Sequence, residues 1–219
     1  MVDFLALDEW GSALRWTLLA QNEAEDDESL KRITVLESVG RVRRHAAEAR
    51  VFSAVFKWVP EDYYDRPLAA RAELLGCAES QMCKSMIMEN TSLPEGCSAE
   101  EEKLRYVMVV VQYAAKFNAA KLAAAIRSLP GESAKPKAAH HFRLAPEAVA
   151  NDMAGVQHNA VSPLGLKTEI FVVVAEAIAQ LRSPFIWMGA GHVNLKLGCT
   201  TGHLTRALKP LIADISDPR

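Results

Sequence analysis

Arg105-Tyr-Val-Met-Val-Val-Val-Gln-Tyr113 has an unbroken apolar centre, rich in β-branched side chains, with no alternation of apolar and polar positions. Such a run is a strand buried on both faces, and a chain that contains it must build a layer on each side of a sheet. The segment after it supplies one layer. Asn118 is placed to cap a helix over 119–129, which ends before Pro130-Gly131.

The other elements interleave in the same way. Leu68, Ala72 and Leu75 recur at helical spacing, and Gly76 is a natural residue to close that helix. Val51–Val59 is apolar and aromatic with β-branched members, so it reads as a strand that Pro60 ends. His141–Leu144 reads as a short strand, with Pro146 opening a helix over 146–154. The last third holds strands at Glu169–Val174, Pro184–Met188 and Val193–Leu197, then a closing helix over 201–209. Several of these strands succeed one another without a helix between them, which predicts a mixed sheet in an α+β fold and excludes a doubly wound parallel one. Upstream, residues 1–22 carry Leu7, Trp10, Leu14 and Leu18 at helical spacing. The acidic run Glu23–Glu28 interrupts, and Asp27 or Ser29 caps a second helix through Leu30, Ile33, Leu36 and Val39. Gly40 and the basic group Arg41, Arg43 and Arg44 come next, either as a solvated helix face or as a phosphate-facing patch. The division expected is an N-terminal helical extension, 1–50, and one domain, 51–219.

A formal net charge of -2 is not that of a protein gripping long DNA, so any nucleic-acid partner is held locally, at an end or a loop. No window approaches the ~18 consecutive apolar residues that span a bilayer. The N-terminus carries acid where a secretion signal carries base, which leads us to expect a cytoplasmic protein with no membrane partner. Cys77, Cys83, Cys97 and Cys199 form no CxxC pair, and no histidines stand beside them at metal-ligand spacing. Free thiols, mostly buried, no metal and no cofactor are expected. His140 and His141, adjacent in a strand, point to opposite faces and cannot chelate one ion together.

Three places carry candidate chemistry. Lys84 opens the apolar run Met86-Ile87-Met88, where a sheet meets a loop; it either caps a sheet edge or faces an anionic ligand. Gly155-Val-Gln-His-Asn-Ala-Val-Ser-Pro-Leu-Gly165 contains Gly155, Asn159 and Gly165, residue types that tolerate positive φ. It is either a tight turn or a nest of inward backbone N–H groups that binds a carbonyl or phosphate oxygen. Gly189-Ala-Gly-His-Val-Asn194 allows close backbone approach and offers His192 and Asn194 as polar tips. No Ser/His/Asp grouping or pair of carboxylates stands out.

In order along the chain come VPEDYYDRPLAARAELLG, the Lys84-Ser85 segment, VVVQY, LAPEAV, the G-x-x-x-N-x-V-S-P-L-G-L loop and WMGAGHVNLKLG with a final helix. This ordered set resembles the YbaK/ProX family of aminoacyl-tRNA deacylases, also found as the editing insertion of bacterial prolyl-tRNA synthetases. The match runs from about Val51 to Leu211 and fits the eukaryotic stand-alone branch best. The resemblance implies a mixed, barrel-like sheet wrapped by helices, with a cleft beside the lysine strand. It makes Lys84 the central functional residue and puts Ser85 in the amino-acid pocket. Asn159, Ala160, Val161, Ser162 and Pro163 fall on the family's substrate-anchoring GXXXP loop. Gly189, Gly191 and His192 fall on a glycine-rich loop beside the pocket. Two departures stand out: Asn159 replaces the loop's glycine, and Ala175 stands where relatives often carry Asp.

Hydrolysis of a small amino-acid ester on a tRNA acceptor end is the function this implies. Lys84 holds the ester carbonyl or the terminal phosphate, and N–H groups at Ala160–Ser162 add neutral donors. No side chain presents itself as general base; the ribose hydroxyl beside the ester is the expected activator of water. Pocket volume, set by Ser85, Met86 and residues near Val161, sets the choice of amino acid. Two other classes of function fit the same residues: a non-catalytic adaptor for tRNA or for a synthetase, docking through residues 1–50, and a small-molecule module that takes a carboxylate or phosphate at Lys84.

Overall fold

The computed structural model describes residues 27–130 and 140–219. The expected helix over 1–22, the acidic residues before Asp27 and the link over 131–137 lie outside the described residues. Among those described, the apolar run is strand β3 (Tyr106–Gln112), the middle of a five-stranded mixed sheet, and Val107 through Val111 are completely shielded from solvent. Strand β2 (Cys83–Asn90) lies antiparallel on one side and β6 (Phe171–Ala175) parallel on the other. Strand β5 (Phe142–Leu144) extends the sheet past β2, and β9 (Leu211–Ala213) extends it past β6.

A second sheet is antiparallel throughout, in the order β1 (Val55–Trp58), β8 (Leu195–Thr200), β7 (Phe185–Gly189). A short pair, β4 (Ala115–Phe117) with β10 (Ser216–Pro218), makes a third. The mixed α+β class holds, but the sheets do not close into a barrel. The five-stranded and three-stranded sheets meet through a single parallel bridge, Met82 to Trp187. β5 covers β2 only at Met88–Asn90 and β7 meets the chain at Met82, so between them, around Ser85, that β2 edge pairs with no strand among the described residues.

Several element boundaries depart from expectation. The strand expected over Val51–Val59 forms only at Val55–Trp58, because Val51 instead receives the end of helix α1 (Asp27–Glu48) through its N–H to Ala46 O. Helix α1 does not stop at Gly40. A Cβ there would meet nothing, and the helix carries the basic group onward. Its inner face supplies Val42 and Ala46 to the main core, alongside β3, β6 and Leu122 and Ile126 of α4 (Ala119–Arg127). Asn118 caps α4, its Oδ1 accepting from Ala120 and Lys121 N–H. Pro146 is the N-cap of α5 (Glu147–Ala154) and not its first helical residue.

A smaller cluster, Val59, Tyr63, Ala72, Leu75, Met82 and Trp187, packs α2 (Leu68–Leu75) and the 3-10 turn Glu61–Asp65 onto the second sheet. The remaining helices are short: α3 (Ala99–Glu102), α6 (Glu176–Ala179) and α7 (Thr201–Leu208). The four cysteines are free; Cys83 and Cys199 are buried, Cys77 and Cys97 partly exposed. Among the described residues no helix is long and apolar enough to cross a membrane.

Candidate functional site

The entry to β2 is built stepwise from sequence. Gly76 ends α2 in the left-handed conformation, at φ 69°. A turn over Glu79–Gln81 comes next, tied to β7 by Gln81 Nε2 donating to Phe185 O at 2.7 Å. The Gln112 amide donates to Ser80 O at 2.7 Å and holds the same turn onto β3. The chain therefore enters the sheet at Cys83 with Lys84 paired opposite Val111. Among the described residues the Lys84 ammonium makes no hydrogen bond and no ion pair; its nearest ring is that of Tyr113, 6.0 Å from Nζ to centroid. Burial, with a lesser push from the Arg219 charge, lowers its pKa from the ordinary lysine value.

Lys84 lines a cavity of about 380 Å³. Met86, Ile87, Leu144, Ala145, Ala150 and Val161 give it apolar walls, while Tyr64, Ser85, Glu147, Asn151, His158 and Asn159 add polar residues to the same lining. That balance, mostly apolar with a few convergent polar groups, is typical of small-molecule sites. Ser85 is distinctive. Its Oγ is buried with no hydrogen-bond partner. Ala145 N–H donates to Ile87 O and Thr91 N–H to His141 O, so the odd residues of β2 turn their backbone groups away from β3. The alternation of an antiparallel ladder then turns the Ser85 N–H and C=O toward the uncovered edge as well.

The opposite wall is the loop after α5. Gly155, Asn159 and Gly165 take φ of 65°, 64° and 72°. Asn159 is the one non-glycine among them, and asparagine is among the few residues that enter this region readily. The Ala160 N–H donates to Gln157 O and is engaged, while Ala160 O accepts from Gly191 N–H at 3.0 Å. Among the described residues the Val161 N–H donates to no other atom, and Val161 lines the cavity. Two supports press the loop into place. Gly189 sits so close that a Cβ would strike Val161 O, and a Cβ on Gly165 would run into the α1 backbone at Arg41–Val42. Arg41, expected on a solvated or phosphate-facing surface, instead donates from Nε to Gly165 O at 3.3 Å and from Nη2 to Gly155 O. His45 Nδ1 accepts from Gly165 N–H at 2.9 Å.

The structure therefore brings together Lys84, Ser85, Asn159, Val161 and Gly189 around one cavity. Ala160, Ser162 and Pro163 are buried behind the loop, with Ser162 Oγ accepting from Leu164 N–H. Gly191, at φ 87°, abuts the α1 backbone at Ser38, whose hydroxyl donates to Gly191 O at 2.7 Å. His192 does not line the cavity; its ring packs on Trp58, with centroids 5.1 Å apart, and its Nδ1 accepts from Asn194 N–H. Ala175 lies fully buried at the end of β6, in the core and away from the cavity lining.

Sequence reading passed over Tyr64, Tyr113, Arg71 and Lys196. Lys196 lies on β8 between Leu195 and Leu197 and is only 3% exposed. Its ammonium donates to Tyr64 Oη at 3.0 Å and Val193 O at 2.6 Å, and sits over the rings of Tyr64 and Tyr63 at 4.4 and 4.9 Å. Tyr64 Oη donates to Asn159 O at 2.8 Å. Arg71 pins the same turn, donating from Nη2 to Tyr64 O at 2.6 Å. A lysine between two leucines in a strand of the second sheet was the signal available for this group.

A family model described as the aminoacyl-tRNA editing domain matches residues 66–207. The chain belongs to that family. The matched span holds both walls of the cavity, from Lys84 to Gly189. The editing domain's fold is shared by solved structures of low identity. One is a protein used as a scaffold for computational epitope grafting, at 14% identity and a TM-score of 0.64, covering 83% of this chain and 98% of the other. A candidate trans-editing enzyme for prolyl-tRNA synthetase gives 15% identity and a TM-score of 0.63, covering 82% and 97%. A hypothetical protein gives 20% identity and 0.57, covering 80% and 98%. None of the curated proteins compared matches the chain by sequence.

Proposed function

We propose that this editing domain acts in trans as a hydrolase, freeing a small amino acid from the 3′ end of a mischarged tRNA. The observation that carries this reading is Lys84. Its ammonium, with no ion pair among the described residues, shares one cavity of about 380 Å³ with the left-handed turn at Asn159. A half-buried cation with no ion-paired or hydrogen-bonded partner is costly to hold in a purely structural role, and it suits an anionic or strongly polarised ligand.

In this reading the aminoacyl ester lodges between β2 and the 159–163 loop. Lys84 Nζ faces the ester carbonyl or the terminal phosphate. The Val161 N–H, and not the engaged Ala160 N–H, is the backbone donor available to the oxygen that becomes charged in the tetrahedral intermediate. The Ser85 hydroxyl and the β2 edge bind the amino-acid end. Each preorganised donor of this kind is worth on the order of 10²–10³ in rate. No side chain is assigned as general base; the ribose hydroxyl next to the ester is in place to orient water, and positioning supplies much of the remaining acceleration.

Met86, Ile87 and Val161 set the volume left for the side chain. A wall excludes larger residues by clash, whereas one methylene is distinguished by only about 1–3 kcal/mol. The test is incubation of the purified protein with a panel of mischarged tRNAs. Release of one or a few small amino acids, with Lys84→Ala inactive, supports the reading. Binding of charged tRNA with no release by the wild type indicates the adaptor instead.

A further inference from the structure

Lys196 is a buried ammonium with no carboxylate partner among the described residues. Its surroundings do not relieve the charge by pairing. Tyr63 and Tyr64 face it from the 3-10 turn and Arg71 from α2; Cys83 and Tyr113 share its small enclosure; Lys57 is its register partner on β1, and His192 lies on the preceding loop. Apart from the carbonyl of Val193 and the two aromatic faces, its one recipient among the described residues is Tyr64 Oη.

The consequence is one of direction. An ammonium has three donors and no acceptor, so Tyr64 must accept from it. Tyr64 has a single hydroxyl proton, and burial foremost, with Tyr113 beside it, raises its pKa well above the ordinary tyrosine value, so that proton is retained. It is donated onward, and Asn159 O stands at 2.8 Å to receive it, with the Tyr113 side chain, which also shares a hydrogen bond with Tyr64, as the competing acceptor. Asn159 is the residue that holds φ 64°, where a side chain is a strain that glycine would avoid.

We infer that Lys196 is a positioning residue for the candidate site: by donating to Tyr64 Oη it turns the Tyr64 proton outward to the Asn159 carbonyl, and so braces the left-handed turn that presents Val161 to the Lys84 cavity. The role in catalysis rests on the hydrolase reading above, but the coupling from Lys196 to the loop does not. Loss of the ammonium proton gives Lys196 a lone pair, which then competes with Asn159 O for the Tyr64 proton. The loop is thereby tied to the protonation of a residue that does not touch substrate.

The coupling is tested on the free protein, without tRNA, by residue-resolved amide exchange. The amides of Ala160 and Gly191 report on the loop, and those of Val107–Val111 report on the sheet. Tyr64→Phe removes one hydroxyl and leaves the ring packing, so it keeps the test valid if Lys196→Met fails to fold. We expect Tyr64→Phe to speed exchange at Ala160 and Gly191 about tenfold with the β3 amides unchanged. Where Lys196→Met folds, it should do the same, and the double variant should add nothing further. The wild-type shifts of Ala160 and Gly191 should also titrate in the mildly alkaline range, and should be flat in Lys196→Met. Unchanged loop exchange in Tyr64→Phe overturns the inference, as do additive effects in the double variant. Loosening of the loop in a protein that releases no amino acid from any tRNA sustains the coupling and removes the hydrolase reading alone.

Discussion

Gly189, the last residue of β7, has no room for a side chain, because a Cβ would strike the carbonyl oxygen of Val161. The strand end and the candidate substrate loop thus touch backbone to backbone. Gly189→Ala must push the loop away from its seat. We expect a loss of about 1–3 kcal/mol in stability from overpacking and a larger proportional loss of deacylation. Gly202 in α7 is the control, since a Cβ there meets nothing within 4 Å. Gly202→Ala should be neutral or stabilising by up to about 1 kcal/mol. Thermal melts and initial rates on both variants decide this.

Asn159 tests the turn itself. Asn159→Gly relaxes a φ of 64° and keeps the backbone carbonyl that receives Tyr64, so activity should be retained. Asn159→Val places a β-branched residue where it is a genuine outlier, and should lower both melting temperature and kcat/KM. Equal kinetics for the two variants would show that the left-handed turn is not needed.

Ser85 carries a buried hydroxyl with no partner in the free protein. Removing an unsatisfied polar atom costs no hydrogen bond, so Ser85→Ala should leave stability unchanged or raise it by about 1 kcal/mol. If that hydroxyl receives substrate, kcat/KM should fall about tenfold or the preferred amino acid should change. Urea titrations and competition between charged tRNAs measure the two effects.

Lys196 makes stability depend on pH in a definite direction. Burial foremost, then the Arg71 charge, lowers its pKa in the folded protein to about 8, against 10.5 as an ordinary lysine. Between those values the unfolded chain binds more protons than the folded one, so stability rises with pH across the window. The depression corresponds to about 3 kcal/mol, felt in full below pH 8 and relieved as pH climbs toward 10. Relative to Lys196→Met, wild-type unfolding free energy should rise over pH 7–10 in urea titrations. A flat difference would place the ammonium in contact with water.

The central strand was legible because burial on both faces writes itself as an uninterrupted Val-rich run, and β3 occupies nearly the span expected. The Asn118 cap, the stop at Gly76 and the positive φ values at Gly155, Asn159 and Gly165 were legible for a similar reason, since each stems from one residue's own conformational range. The strands β9 and β10 were not, because segments this short exist only through their neighbours in the sheet. The run of α1 past Gly40 was also hidden, as the contacts that hold it, Arg41 to Gly155 and Gly165, span more than a hundred residues. His192 looked like a pocket residue on its glycine-rich loop, but Trp58, from a distant strand, takes its ring. Tyr64 and Lys196 escaped for the same reason. Their meaning lies in a contact 132 residues apart, which no local pattern encodes.

The most direct measurement is deacylation of a mischarged tRNA panel by wild type, Lys84→Ala and Lys84→Arg, each shown to be folded by its melt. Lys84 is half-buried in the cavity wall and has no described partner whose loss would unfold the sheet. We predict that Lys84→Ala loses at least about 10²-fold in rate with little change in melting temperature, and that Lys84→Arg recovers only a small part, since a planar guanidinium does not replace a compact ammonium. Turnover by folded Lys84→Ala equal to wild type would contradict a catalytic role for the ammonium.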